Sequence, residues 1–326
     1  MRRREFIALL SGAVSAGPFS AWAQQGAVPR IGVLVALAAD DPEMRRPVAV
    51  FRQELEKLGW TDGRNAHIDV RYAITVSMGP ELAKELVALQ PDVILAQGTP
   101  MAAAFQSETH KVPIVFVAVS DPIGSGFVSS LAKPGSNLTG LALYDASVSG
   151  KWIDMLKEIT PSLARVAVLA NPKLTFDYWL RAAEVVAAQF NVKIIPKPAE
   201  NATEIKQAIE TFAREPNGGL IVPPDFSMLA NRDLIIGLAA TYRLPAVYND
   251  RNFVMAGGLM SYGSYIVDLF QLAASYVDRI LRGANPADLP VQVPTRYQTV
   301  LNLKTAKVLG VTVTDKLLVA ADEVIE

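Results

Sequence analysis

The residues most suited to chemistry sit in short polar turns that follow apolar, β-rich runs. They are Gly98-Thr99-Pro100, Ser120-Asp121-Pro122, Asn171-Pro172, Pro224-Asp225-Phe226, Tyr248-Asn249-Asp250 and Ser261-Tyr262-Gly263, with Asp40-Asp41 early in the chain and Tyr144 beside a chain crossing. Open α/β sheets bind ligands outside the carboxyl ends of their strands, where such turns fall. Together they offer hydroxyls, two or three carboxylates and aromatic faces, a set suited to a small organic ligand with an ammonium group and a flat or apolar body. A helix starting after Thr99 or Ser120 adds N–H groups for a carboxylate. Each turn also has a purely structural reading, because Asp-Pro and Asn-Pro pairs cap helices and initiate turns. Asp121 carries both readings equally, whereas capping is the favoured role of Asp41 and Asp250.

Catalytic chemistry finds little support. The chain has no cysteine and only two histidines, His67 and His110, neither in a strand-end turn, so thiolate nucleophiles, disulfides and multi-histidine metal sites are excluded. No G-x-S-x-G elbow occurs, and Gly124-Ser125-Gly126 lacks both a third glycine in register and a following Lys-Ser or Lys-Thr. Asp121 with Asp225 is the one carboxylate pair that could exchange protons across a cleft. No metal, cofactor or catalytic residue is expected. A formal net charge of −1 with scattered Lys and Arg argues against nucleic acid as a partner.

The elements that hold these turns alternate regularly. Arg30–Ala36, Ile68–Tyr72, Asp92–Ala96 and Val112–Val119 read as buried strands, and Phe51/Leu55/Leu58 and Leu82/Leu86/Leu89 mark helices between them. Helical spacing is also read in the Gly-spaced segment after Pro122. The pattern then restarts: Arg165–Ala170 (RVAVLA) echoes Arg30–Ala36 (RIGVLVA), and strands at Lys193–Ile195, Gly219–Val222, Pro245–Tyr248 and Gly257–Ser261 follow. A long amphipathic helix covers Tyr265–Arg282, a proline-rich crossing covers 283–298, and Thr299–Leu309 closes as strand and helix. The fold class expected is α/β, two doubly wound parallel-sheet lobes with strands crossing between them. The lobes are 29–143 plus about 264–289, and 144–263 plus about 290–326.

Residues 1–23 read as an export signal. Arg2-Arg3-Arg4 form a positive start, Phe6–Ala16 a modest apolar stretch and Ala21-Trp22-Ala23 a cleavage site, with cleavage expected after Ala23. Arg3-Arg4-Glu5-Phe6-Ile7 resembles the twin-arginine pattern, and an ordinary Sec signal is the alternative. With no cysteine to carry a lipid, a free exported protein is expected.

The chain resembles the periplasmic substrate-binding proteins of ABC transporters, in particular the group that includes tryptophan and aromatic amino-acid binding proteins. The resemblance spans essentially the whole mature chain. It is carried by Phe51–Asn65 (FRQELEKLGWTDGRN), Asp92–Pro100 (DVILAQGTP), Ile114–Pro122 (IVFVAVSDP), Leu131–Gly140 (LAKPGSNLTG), Val166–Pro172 (VAVLANP), Gly257–Gly263 (GGLMSYG), Tyr276–Leu289 (YVDRILRGANPADL) and Leu301–Gly310 (LNLKTAKVLG). It implies a type I periplasmic-binding-protein fold with a hinge of three crossings, a free periplasmic monomer that closes on a small-molecule ligand, and delivery to ABC permease membrane subunits. It also implies that Gly98, Thr99, Pro100, Ser120 and Asp121 face Asp225 and Tyr248. Thr99 and Ser120 would then hold a carboxylate, and Asp225, Asp121 or a tyrosyl group an ammonium. A receptor for a sensor partner and a periplasmic enzyme using Asp121 and Asp225 are the alternatives.

Overall fold

The computed structural model describes residues 28–36, 42–144, 147–174 and 176–326. The export signal and the Asp40-Asp41 turn lie outside the described residues.

Apolar runs bounded by Gly and Pro form the first lobe: β1 (Arg30–Val35), α1 (Pro42–Lys57), β2 (His67–Tyr72), α2 (Gly79–Ala88), β3 (Val93–Gln97), α3 (Gly98–Glu108), β4 (Ile114–Val119) and β5 (Leu138–Ala142). All five strands are parallel, in the order β2-β1-β3-β4-β5. The central strands are buried on both faces, which explains why they read as unbroken apolar runs rather than as alternations.

The second lobe repeats the winding with α4 (Val148–Ile159), β6 (Arg165–Ala170), α5 (Phe176–Ala187), β7 (Lys193–Pro198), α6 (Ala202–Ala213), β8 (Gly218–Val222), α7 (Phe226–Ala230), α8 (Arg232–Thr241), β9 (Ala246–Tyr248), α9 (Arg251–Met255) and β10 (Met260–Ser264). The chain then returns to the first sheet as α10 (Ile266–Leu281), which packs on α1 and β4. It re-enters the second lobe as β11 (Tyr297–Asn302), α11 (Leu303–Leu309), α12 (Asp315–Ala320) and β12 (Glu323–Ile325). The second sheet runs β12-β11-β10-β9-β8-β6-β7, with β11 antiparallel to β10. Its β7-β6-β8-β9-β10 portion has the winding of the first sheet, and the echoing segments RIGVLV and RVAVLA are the first strand of each. Strand β7 runs three residues beyond the Ile195 expected from sequence, through Pro196 and Pro198. It lies at the sheet edge, where an unpaired side tolerates the missing N–H groups.

The three crossings meet in a cluster of aromatic rings. Tyr144 ends the first crossing, Tyr262 precedes the second and Tyr297 closes the third. Tyr297 stacks on both, 6.1 Å from Tyr144 and 5.4 Å from Tyr262 between ring centres. Trp152 and Trp179 meet Tyr144 edge-on, and the Trp152 indole N–H donates to the Tyr262 carbonyl at 2.8 Å. The Tyr144 hydroxyl donates to the Asn249 carbonyl at 2.7 Å. Gly263 makes this approach possible, since a Cβ there would collide with that same carbonyl and with the Tyr144 hydroxyl. One buried cluster runs from Phe51 and Val115 through Tyr144 and Trp152 to Val166 and Leu301, so the core is continuous across the crossings.

Replacing Tyr144 by Phe removes the donor and leaves the Asn249 carbonyl buried without it. The urea midpoint should fall, at an unchanged slope, by the equivalent of about 1–2 kcal/mol.

Candidate ligand-binding site

Between the carboxyl ends of the two sheets lies a cavity of ≈ 320 Å³ walled by both lobes. Thr99, Pro100, Gln97, Ala118 and Ser120 line it from the first lobe, Asp225, Phe226, Asn249, Asp250 and Ser261 from the second, and Ser264, Tyr265 and Ile266 at the second crossing.

On the first-lobe wall, β3 stops at Gly98, whose left-handed φ of +79° turns the chain directly into α3. The Thr99 hydroxyl accepts the Ser120 N–H at 3.3 Å, tying the β3 and β4 turns together and leaving its own proton to donate. Strand β4 carries a register shift between Val117 and Val119, and Ala118 between them has φ +60°. Such bulges re-aim the strand end, and an alanine in this conformation stores strain of order 1 kcal/mol.

On the second-lobe wall, Asp225 is the N-cap of α7. One carboxylate oxygen accepts the N–H groups of Ser227 (2.7 Å) and Met228 (3.2 Å), and the other accepts the Asn171 N–H at 2.6 Å. Asp250 caps α9 in the same way, accepting the Asn252 N–H at 2.7 Å. Burial pushes both carboxyls above the ordinary aspartate value, against the pull of these N–H groups. Phe226 reaches across the cleft and packs against the apolar core of the first lobe. Its ring lies where a Cβ on Gly98 would be, 2.5 Å from that position, so the lobes touch here only because residue 98 is glycine.

The helices that begin at the cavity fall into two kinds. Those of the second lobe, α7 and α9, have their N-termini neutralised by Asp225 and Asp250. Helices α3 and α10, on the first-lobe side, receive no side-chain cap. The positive end of α3 therefore faces the cavity with no carboxylate against it, whereas α10 carries Asp268 in its first turn. Arg46 of α1 lines the same side with no ion pair among the described residues, whereas Lys173 pairs with Glu200 and Arg251 with Glu323. Two cavity-lining residues also hold a buried polar atom with no hydrogen-bond partner among the described residues, Gln97 Oε1 and Ser264 Oγ.

Of the residues singled out from sequence, Thr99, Pro100, Ser120, Asp225 and Ser261 line this cavity, and Gly98 lies at its rim under Phe226. The others are placed elsewhere. Asp121 borders a separate small crevice with Tyr144 and Tyr178, and its carboxylate accepts the Gly124 N–H at 2.8 Å. The helix expected after Pro122 is absent: Phe127 N–H returns to the Pro122 carbonyl and left-handed Gly126 ends the turn. Tyr248 is 1% exposed and stacked on Phe253, because strand alternation turns it into the second lobe's core while Asn249 faces the cleft. Tyr144 belongs to the ring cluster at the crossings. Asn171 is a bracket, donating its N–H to Asp225 and its side-chain amide to Ser227.

Sequence reasoning passed over Arg46, Gln97 and Ser264. Gln97 had a signal, being a polar residue closing the apolar run VILA just before a Gly turn. Arg46 had none, since nothing in a helix more than 50 residues from the Gly98 turn marks it as a neighbour of that turn.

The family profile described as ABC transporter substrate binding protein matches residues 30–325. The chain is 26% identical over 277 residues to a protein of Clostridioides difficile named tyrosine-binding protein, covering 84% of this chain and 79% of that one. A conserved domain protein from Vibrio cholerae is similar in structure at TM-score 0.84 and 26% identity, over 91% of this chain and 99% of that one. A domain from Streptococcus pneumoniae solved in complex with L-Trp has TM-score 0.84 at 24% identity, over the same shares of 91% and 99%.

Asp225→Asn keeps the α7 cap but turns an amide nitrogen toward the Asn171 N–H. We expect it to cost about 1–3 kcal/mol in chemical denaturation. Asp121→Asn, in an ordinary turn outside the cavity, should stay within about 0.5 kcal/mol of the parent.

Proposed function

The chain belongs to the ABC transporter substrate binding protein family, and on that footing we propose that it is a periplasmic receptor for an amino acid with an aromatic side chain, which it passes to an ABC permease. Membership in a family of solute-binding transport components makes it a binding protein and not an enzyme. The observation that carries the finer reading is the cavity itself, with one wall offering positive ends and the other a flat ring.

Arg46 and the uncapped start of α3 favour an anionic group on the first-lobe side. The acceptors Asp225, Asp250 and Gln97 favour an ammonium close by. Phe226, with Leu143, Leu174, Leu229 and Ile266, favours an apolar or flat remainder. The name of the 26%-identical relative supports an aromatic amino acid, and the leader at residues 1–23 supports export.

In this reading residues 29–143 with about 264–289 move against 144–263 with about 290–326, turning at the three crossings. Both lobes wall the cavity, so a ligand there gains contacts only when they are together and shifts the population toward the closed form. The permease then meets a shape that reports occupancy.

A thermal-unfolding screen of the mature protein against L-tyrosine, L-tryptophan, L-phenylalanine, aliphatic amino acids, sugars and aromatic acids tests this. An aromatic amino acid at about 100 times its dissociation constant should add roughly 2.7 kcal/mol. No shift from any amino acid in folded, ligand-free protein, or a shift from sugars alone, would sink the reading. Phe226→Ala should weaken binding of the same amino acid roughly 10- to 100-fold, mostly through faster dissociation.

A further inference from the structure

Resting on the receptor reading above, we propose that Gln97 is a specificity-determining residue whose side-chain carbonyl accepts a hydrogen bond from the ammonium group of the bound amino acid. Gln97 is 5% exposed and lines the cavity, and its Oε1 is buried with no hydrogen-bond partner among the described residues. A buried amide oxygen without a donor is costly, and native proteins keep few of them. Its position sharpens the point. Gln97 is the N-cap residue of α3, with extended φ −89° and ψ 122°, yet its side chain makes no capping bond. The carbonyl therefore stays unpaired in a residue that lines the cavity.

The surrounding wall explains which ligand group it takes. Thr99 and Ser120 bring hydroxyl donors, Arg46 a guanidinium and α3 its uncapped start, so Gln97 Oε1 is an acceptor set among donors. A ligand group that fits such a wall carries an acceptor and a donor on the same carbon. An α-amino carboxylate does this, with its carboxylate toward the donors and its ammonium toward Gln97. Of the two competing acceptors, Asp225 already takes three backbone N–H groups and holds α7 and the Asn171 turn in place. Asp250 takes the Asn252 N–H as the cap of α9 on the second-lobe wall, away from the donors around Gln97 in sequence and in lobe. A site built around a polar partner rejects the analogue that lacks it, because the protein group is left unpaired on binding.

Isothermal titration of the mature protein with L-tyrosine, L-phenylalanine and 3-(4-hydroxyphenyl)propionate, which is L-tyrosine without its ammonium, tests this. The parent protein should bind L-tyrosine roughly 10- to 100-fold more tightly than the desamino acid. Gln97→Met should weaken L-tyrosine and L-phenylalanine by that same factor and leave the desamino acid within about threefold, so that the preference collapses. Gln97→Glu, which keeps the acceptor and adds charge, should widen the preference, and it decides the matter should the Met variant fail to fold. A Gln97→Met protein that weakens all three ligands equally would reduce Gln97 to a structural part. Loss confined to the difference between L-tyrosine and L-phenylalanine would assign the carbonyl to the phenol and overturn the ammonium. A parent protein that binds the desamino acid as tightly as L-tyrosine overturns the inference while the receptor reading stands. A parent that binds none of the three overturns both.

Discussion

Everything in this structure depends on where the chain is allowed to cross between its lobes. Three crossings converge on one set of rings, with Tyr297 stacked between Tyr144 and Tyr262, and with the Tyr144 hydroxyl bonded to the Asn249 carbonyl. Aromatic pairs add about 0.5–1.5 kcal/mol each beyond the area they bury, and flat stacks keep contact as one ring slides over another. A cluster of that kind holds two rigid sheets together without a rigid peg between them. The glycine at position 263 is what lets the backbones come close enough for it to form. Because Asn249 begins the turn that also carries Asp250, the bond from Tyr144 fixes the crossing and one wall of the cavity at once.

The cavity has a division of labour that follows from helix electrostatics. Each helix starting there brings a partial positive charge. The second lobe cancels its own with Asp225 and Asp250, which act as caps; the first lobe leaves α3 without a cap and adds Arg46, while α10 carries Asp268 in its first turn. Asp225 is committed to three of the protein's own N–H groups and Asp250 to one, while the groups left without such partners among the described residues are Arg46, the start of α3, an amide carbonyl and a hydroxyl. Burial raises both carboxyls, the direction expected when desolvation outweighs the N–H groups that stabilise the charge.

The architecture was legible because the first sheet is parallel and the second parallel apart from β11, so each central, buried strand wrote itself as an apolar run and its end as a polar turn. That logic located Thr99, Pro100, Ser120, Asp225 and Ser261 at the cavity without any coordinates. It failed where the direction of a side chain mattered. Tyr248 ends a three-residue strand, too short for alternation to be read, and its ring turned out to face the core. Asp121 follows a bulge at Ala118, and a bulge shifts the parity of everything after it. The helical spacing after Pro122 misled because Gly126 adopts a left-handed conformation, which ends a helix as readily as it enters one. Arg46 was invisible for a different reason, since its nearness to the Gly98 turn is a product of tertiary packing alone.

The contact between Phe226 and Gly98 joins these threads. It is an apolar contact between lobes at the mouth of a polar cavity, and it exists because one residue has no side chain. Phe226 belongs to the second lobe yet half-buries its ring against the first, over Gly98, the residue that follows Gln97. The Gln97 carbonyl has no partner among the described residues. On the receptor reading proposed above, a ligand that brings a donor to that carbonyl would add its contact beside the place where the lobes already touch, so recognition and closure would draw on adjacent residues.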